Sequence, residues 1–81
     1  MKLAEQIHFR IEAIKDRRPD GFGEPRSLRV LLDIGRDEVR SLERVEADLR
    51  GCEGDEVVES ILSDLDQLRS AIKLADGFLA G

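Results

Sequence analysis

The sequence predicts an all-α protein of three helices, dominated by a long antiparallel helical hairpin and paired as a dimeric helical bundle. Three observations predict it. In the last third of the chain, Val58, Ile61, Leu65, Leu68, Ile72, Ala75 and Leu79 recur at alternating steps of three and four. That is the period of one helix face laid against another helix. A second stripe of Leu28, Leu31, Leu32, Val39, Leu42, Val45 and Leu49 runs through the middle. Between the two stripes lies only the short segment Gly51-Cys52-Glu53-Gly54-Asp55, which forces the flanking helices to run antiparallel.

The first helix is expected over residues 3–18. Ala4, Ile7, Ile11 and Ile14 fall on the three-four spacing with Leu3 beside them. Ile7, Phe9, Ile11 and Ala13 also alternate as a half-buried strand would, but the strong helix formers around them favour helix. Lys15, Arg17 and Arg18 suit the negative pole at its end. Pro19 stops it by pushing Arg18 out of the helical region. Residues 19–26 then read as a loop, with Phe22 held between two glycines as an exposed aromatic anchor or a lid over the bundle end.

The second helix is expected over residues 27–50, with Ser27 as its N-cap. Gly35 falls on the apolar stripe. It either admits a neighbouring helix closely or marks a break, and the unbroken register favours one continuous helix, kinked there. Residues 51–55 form the second loop, in which Gly51 can end one helix and Asp55 cap the next. The third helix is expected over residues 56–79, fraying after Asp76 unless Phe78 and Leu79 pin it.

A chain of 81 residues makes one domain, read here as 1–81, and one this small buries roughly 60–65% of its unfolded surface. With no Trp, no Tyr and three Phe, its core must be aliphatic. The expected core or dimer seam is Leu28, Leu32, Val39, Leu42 and Leu49 against Val58, Ile61, Leu65, Leu68 and Ile72. Leu31, Val57, Leu62 and Leu74 widen that face beyond what one partner helix covers, so a homodimer is expected. The lone Cys52 excludes an internal disulfide and fits a reducing compartment. Early charges exclude a signal peptide's apolar core, and no stretch approaches the roughly 20 apolar residues of a membrane span. A cytoplasmic location without membrane association follows as the expectation.

The net charge of −5 is concentrated at the end of the chain: Gly51 to Gly81 holds seven carboxylates against Arg69 and Lys73. That argues against direct nucleic-acid binding, which needs clustered cations. Arg36, Arg40 and Arg44 make a basic ridge, but Asp33, Asp37, Glu43 and Asp48 are placed to neutralise it. The acidic third helix instead suits a protein partner with a basic surface, with Glu56, Glu59, Asp64, Asp66 and Phe22 as the expected contacts.

Catalytic signals are sparse. One Glu5-x-x-His8 element resembles half of a di-iron bundle site, which needs the motif in duplicate. Glu43-x-x-Glu46 and Glu56-x-x-Glu59 flank the second loop and are similar to the Mg²⁺-holding pairs of all-α NTP pyrophosphatases. The likeness covers those four residues alone. Cys52 reads as an exposed loop thiol.

The expectation is therefore a small, non-enzymatic protein–protein interaction module with no catalytic, cofactor or metal residues. One concrete form is a regulator or inhibitor of a larger basic or nucleic-acid-handling protein, of the sort phages and bacteria encode. The alternatives are a metal-dependent hydrolase with carboxylates in a dimer core, and a structural subunit of a larger assembly.

Overall fold

In the computed structural model the described residues are 2–19, 23–52 and 54–81, and all their regular structure is helical. Four helices, not three, follow in order: α1 (Leu3–Lys15), α2 (Pro25–Glu43), α3 (Glu46–Arg50) and α4 (Glu56–Ala80). The fourth arises because the expected helix 27–50 breaks at its far end and not at Gly35. At Val45 the N–H bonds to the Leu42 carbonyl at 3.1 Å, an i→i−3 closure that tightens the turn and redirects the chain into α3. Through Gly35 the helix runs on, as its register implies.

The first helix stops three residues short of its expected end. Arg17 takes the left-handed conformation at φ 53°. The Arg18 N–H reaches the Ala13 carbonyl and the Arg17 N–H reaches Ile14, both at 3.1 Å. These are the paired bonds of a Schellman closure, so the helix is ended two residues before Pro19 can act. Gly23 then lies on this closure: a Cβ there would stand 2.6 Å from the Arg18 carbonyl oxygen and 3.1 Å from that of Ala13.

The start of α2 also differs from expectation. Glu24 is the N-cap and Pro25 occupies the first turn, which places Ser27 inside the helix. Proline's fixed φ and missing N–H suit that first position, and this outweighs Ser27's capping preference. Asp55 caps α4 as expected, accepting from the N–H groups of Val57 at 2.9 Å and Val58 at 3.3 Å. The end of α4 does not fray at Asp76: Phe78 and Leu79 pack on the core and the helix continues to Ala80.

Helices α1, α2 and α4 pack on one another. Ile7 and Ile11 of α1 meet Leu28 and Leu32 of α2 and Leu68, Ala71 and Ala75 of α4 in one aliphatic core. Every buried side chain among the described residues is hydrophobic. Gly35 is buried where α2 faces α4, and a Cβ there would stand 3.3 Å from the end of Ile72 and 3.5 Å from that of Leu68. The molecule is a rod of 45 × 20 × 17 Å with a radius of gyration of 14.3 Å, against about 12 Å for a sphere-like chain of this length.

The rod is unevenly covered. Helix α1 has 13 residues, about 20 Å at 1.5 Å each, and its start lies beside Leu42 of α2 and Asp64 of α4. Beyond that level only α3 and the first turns of α4 continue among the described residues. Of the expected seam, Leu28, Leu32, Leu65 and Leu68 are buried within the chain, whereas Val39, Leu42, Leu49, Val58, Ile61 and Ile72 are half-buried.

Candidate functional site

The acidic residues expected to meet a partner sit at the start of α4, at the end of the rod that α1 leaves uncovered. Asp55, Glu56 and Glu59 are all exposed. Asp55 is occupied as the cap, and Glu56 and Glu59 lie in the first turn, where a carboxylate is favoured by the positive helix pole. Neither glutamate has an ion pair among the described residues.

The other two expected carboxylates are committed elsewhere. Asp64 accepts a 2.9 Å hydrogen bond from the ammonium of Lys2, which ties the beginning of α1 to α4. That bond and the Asp64 charge hold the Lys2 pKa above its ordinary value. Asp66 lies 3.7 Å from Arg69 and 4.0 Å from Arg50. The expected set is thus divided, with Glu56 and Glu59 unpaired among the described residues and Asp64 and Asp66 engaged by Lys2 and by Arg69 and Arg50. Phe22 lies outside the described residues.

A carboxylate that the sequence offered only as half of a Glu-x-x-Glu pair is engaged by two arginines. Glu46, at the first position of α3, accepts from Arg69 at 2.9 and 3.1 Å, one nitrogen to each carboxylate oxygen. Arg50 adds bonds of 2.8 and 3.2 Å to the same carboxylate. The Arg69 bonds, then those of Arg50, pull the Glu46 carboxyl from its ordinary 4.5 down to about 2, against the opposing effect of partial burial. The Arg69 guanidinium is raised in turn, first by its bond to Glu46. A signal for this pair exists in the sequence. Five turns of 3.6 residues on from Leu28 land on Glu46, and Arg69 is four after Leu65, so opposite charges sit on the two facing stripes.

This geometry bears on the paired Glu-x-x-Glu elements. Glu46 is closed off by two arginines, and among the described residues no group of three or more His, Cys, Asp or Glu side chains is arranged to hold a metal ion. His8 is exposed, turned from the Ile7 and Ile11 core towards Gln67 and Ser70 of α4.

No protein-family model, no curated protein and no solved structure matches this chain. Its chemistry has to be read from its own surface.

The basic ridge is paired at Arg36 and Arg40, whereas Arg44 makes no ion pair among the described residues. Arg36 bonds to Asp76 across to α4 and lies 3.8 Å from Asp33, and Arg40 lies 3.9 Å from Asp37. Cys52 is an exposed free thiol. No helix among the described residues is long and apolar enough to cross a membrane.

The end of the rod beyond α1 adds an apolar component that the sequence stripes did not separate from the core. Val57 is 68% exposed and Val45 is 44% exposed, and Val58, Ile61 and Leu49 near them are half-buried. This end of the rod presents both aliphatic surface and exposed carboxylates.

Proposed function

We propose that this chain is a protein–protein interaction module that acts without catalysis, and that its charged contact is the acidic start of α4. The scaffold is a long antiparallel helical hairpin, α2 and α3 against α4, with α1 bracing one half. The partner carries a basic surface. A regulator or inhibitor that covers such a surface on a nucleic-acid-handling protein is the concrete form.

The observation that carries this reading is the state of Glu56 and Glu59. Both are exposed on a capped first turn and have no cation of their own chain among the described residues. Carboxylates held in that way keep their full attraction for an incoming positive patch, and complementary charge raises association rate and selects partners.

The test is affinity capture from the source cells with the native chain and with Glu56→Gln/Glu59→Gln, partners being identified by mass spectrometry. The native chain is expected to recover proteins of high isoelectric point, with recovery lost in the variant and reduced at high salt. Equal recovery by both chains would overturn the reading. Asp64 and Asp66 are unsuitable for this purpose because they hold Lys2 and Arg69.

A further inference from the structure

We infer that the cavity at the start of α1 is a binding site for a small organic cation, a primary amine with an aliphatic body, whose ammonium group meets Glu38. The inference goes beyond the acidic contact of α4 and uses neither of its glutamates.

The cavity lies where three helices meet and has a volume of about 350 Å³. That is in the lower part of the roughly 300–1,000 Å³ range of small-molecule sites. Its apolar lining is Leu3 and Ala4 of α1, Leu42 of α2 and Leu68 of α4. Ala4 and Leu68 belong to the buried core, whereas Leu3 and Leu42 are half-buried. An aliphatic chain laid here continues the core outwards and takes the exposed part of both leucines out of water.

The polar lining follows from spacing along two helices. Glu38 stands four residues before Leu42 on α2, and Asp64 stands four before Leu68 on α4. Each wall therefore carries a carboxylate one helical turn from a leucine. The two carboxylates differ in what answers them. Asp64 accepts from the Lys2 ammonium at 2.9 Å, so those two charges cancel. Glu38 is exposed and has no ion pair among the described residues. Gln67, the remaining polar residue of the lining, is uncharged.

One negative charge is thus left over beside an apolar lining, and this selects the ligand. An ammonium group at Glu38 repeats on the α2 wall the pairing that Lys2 makes on the α4 wall, through a charge-assisted N–H···O bond. A bare cation leaves the leucines wet, and a hydrocarbon leaves Glu38 unanswered. The opposite demand comes from α1, whose start has no side-chain cap and whose positive pole favours an anion. The test therefore includes a carboxylate.

Methyl-resolved NMR titrations of the native chain with hexylamine, hexanol and hexanoate at neutral pH test the inference. Hexylamine is expected to give saturable shifts at the methyls of Leu3, Leu42 and Leu68. It should bind about two- to fivefold more tightly than hexanol, the worth of an ion pair open to solvent. Hexanoate should bind more weakly than hexanol. In Glu38→Gln the affinity for hexylamine should fall to that for hexanol. Circular dichroism should show native helix content in that variant, because Glu38 is exposed. The inference is overturned if those leucines give no saturable shifts, if hexylamine and hexanol bind equally, or if Glu38→Gln binds the amine unchanged. Hexanoate as the tightest ligand also overturns it, by assigning the cavity to the α1 pole. None of these outcomes touches the acidic contact, which is read by loss of basic partners from Glu56→Gln/Glu59→Gln.

Discussion

Arg69 of α4 grips Glu46 of α3 with two guanidinium nitrogens, at 2.9 and 3.1 Å, and this pair fastens the shortest helix to the longest. Helix α3 has five residues and none is buried, so hydrophobic packing gives it little purchase. A single helical turn is unstable alone. The charged bonds to α4 supply what packing does not, and Arg50 adds its own from within the same turn.

The first prediction concerns acid. Glu46 has a folded-state pKa of about 2 against an ordinary 4.5. A depressed carboxyl stabilises the fold fully above the unfolded value and loses that contribution as pH falls towards the folded one. The melting temperature of the native chain should therefore exceed that of Glu46→Gln at neutral pH, and the gap should close between about pH 4.5 and pH 2. Paired thermal melts across that window check it, and a gap constant with pH would show that the carboxylate is not the stabilising form.

The second prediction concerns two glycines of opposite character. At Gly23 a Cβ would meet backbone at 2.6 Å, and backbone cannot swing aside. Gly23→Ala should destabilise by about 1–3 kcal/mol in urea unfolding, the usual range for forced overpacking. At Gly77 a Cβ would meet nothing within 4 Å. Gly77→Ala should stabilise by about 1 kcal/mol through helix propensity alone.

Gly35 lies between these cases. The atom nearest its missing Cβ, at 3.3 Å, is the terminal methyl of the half-buried Ile72, which can yield by a few tenths of an ångström. Gly35→Ala is expected to be neutral or stabilising by up to about 1 kcal/mol. Gly35→Leu would wedge α2 from α4 and should cost about 1–3 kcal/mol or more. Urea midpoints of the two variants, side by side, separate close approach from simple tolerance.

Arg17 holds a left-handed conformation that glycine adopts without steric cost. Arg17→Gly should raise stability by roughly 0.5–1 kcal/mol, the strain relieved exceeding the entropy that glycine adds to the unfolded chain. A lower urea midpoint would mean that the arginine side chain contributes more than its backbone strain costs.

The division between core and uncovered end makes a final prediction. Leu65 is fully buried, and Leu65→Ala should cost about 2–5 kcal/mol at any protein concentration. Val57 is 68% exposed, and Val57→Ala should leave a dilute chain within about 0.5 kcal/mol of the native value. Chemical denaturation at micromolar concentration compares them.

Much of this architecture was legible in advance. The stripe from Val58 to Leu79 specifies α4, because seven matches to one helical period admit no strand, and Asp55 before it suited the cap. The continuity through Gly35 was legible from the unbroken register. The end of α1 was not, since nothing in the residue type announces that Arg17 would take a glycine's conformation. The break at Val45 was not legible either. Residues 43–46 hold no glycine or proline, and the tightened turn there brings α3 against α4. The candidate contact was legible only as charge. Sequence placed Glu56, Glu59, Asp64 and Asp66 together, and only packing set Asp64 apart by giving it Lys2.

By itself, then, the sequence determined an all-helical chain with an aliphatic interior and an acidic final helix, because periodicity, capping and charge are local properties written residue by residue. Tertiary structure decided where the helices end and which charges are consumed. It also decided which half of the apolar stripes is covered. Those outcomes depend on what stands opposite each residue: Arg69 before Glu46, Lys2 before Asp64, and no third helix before Val57.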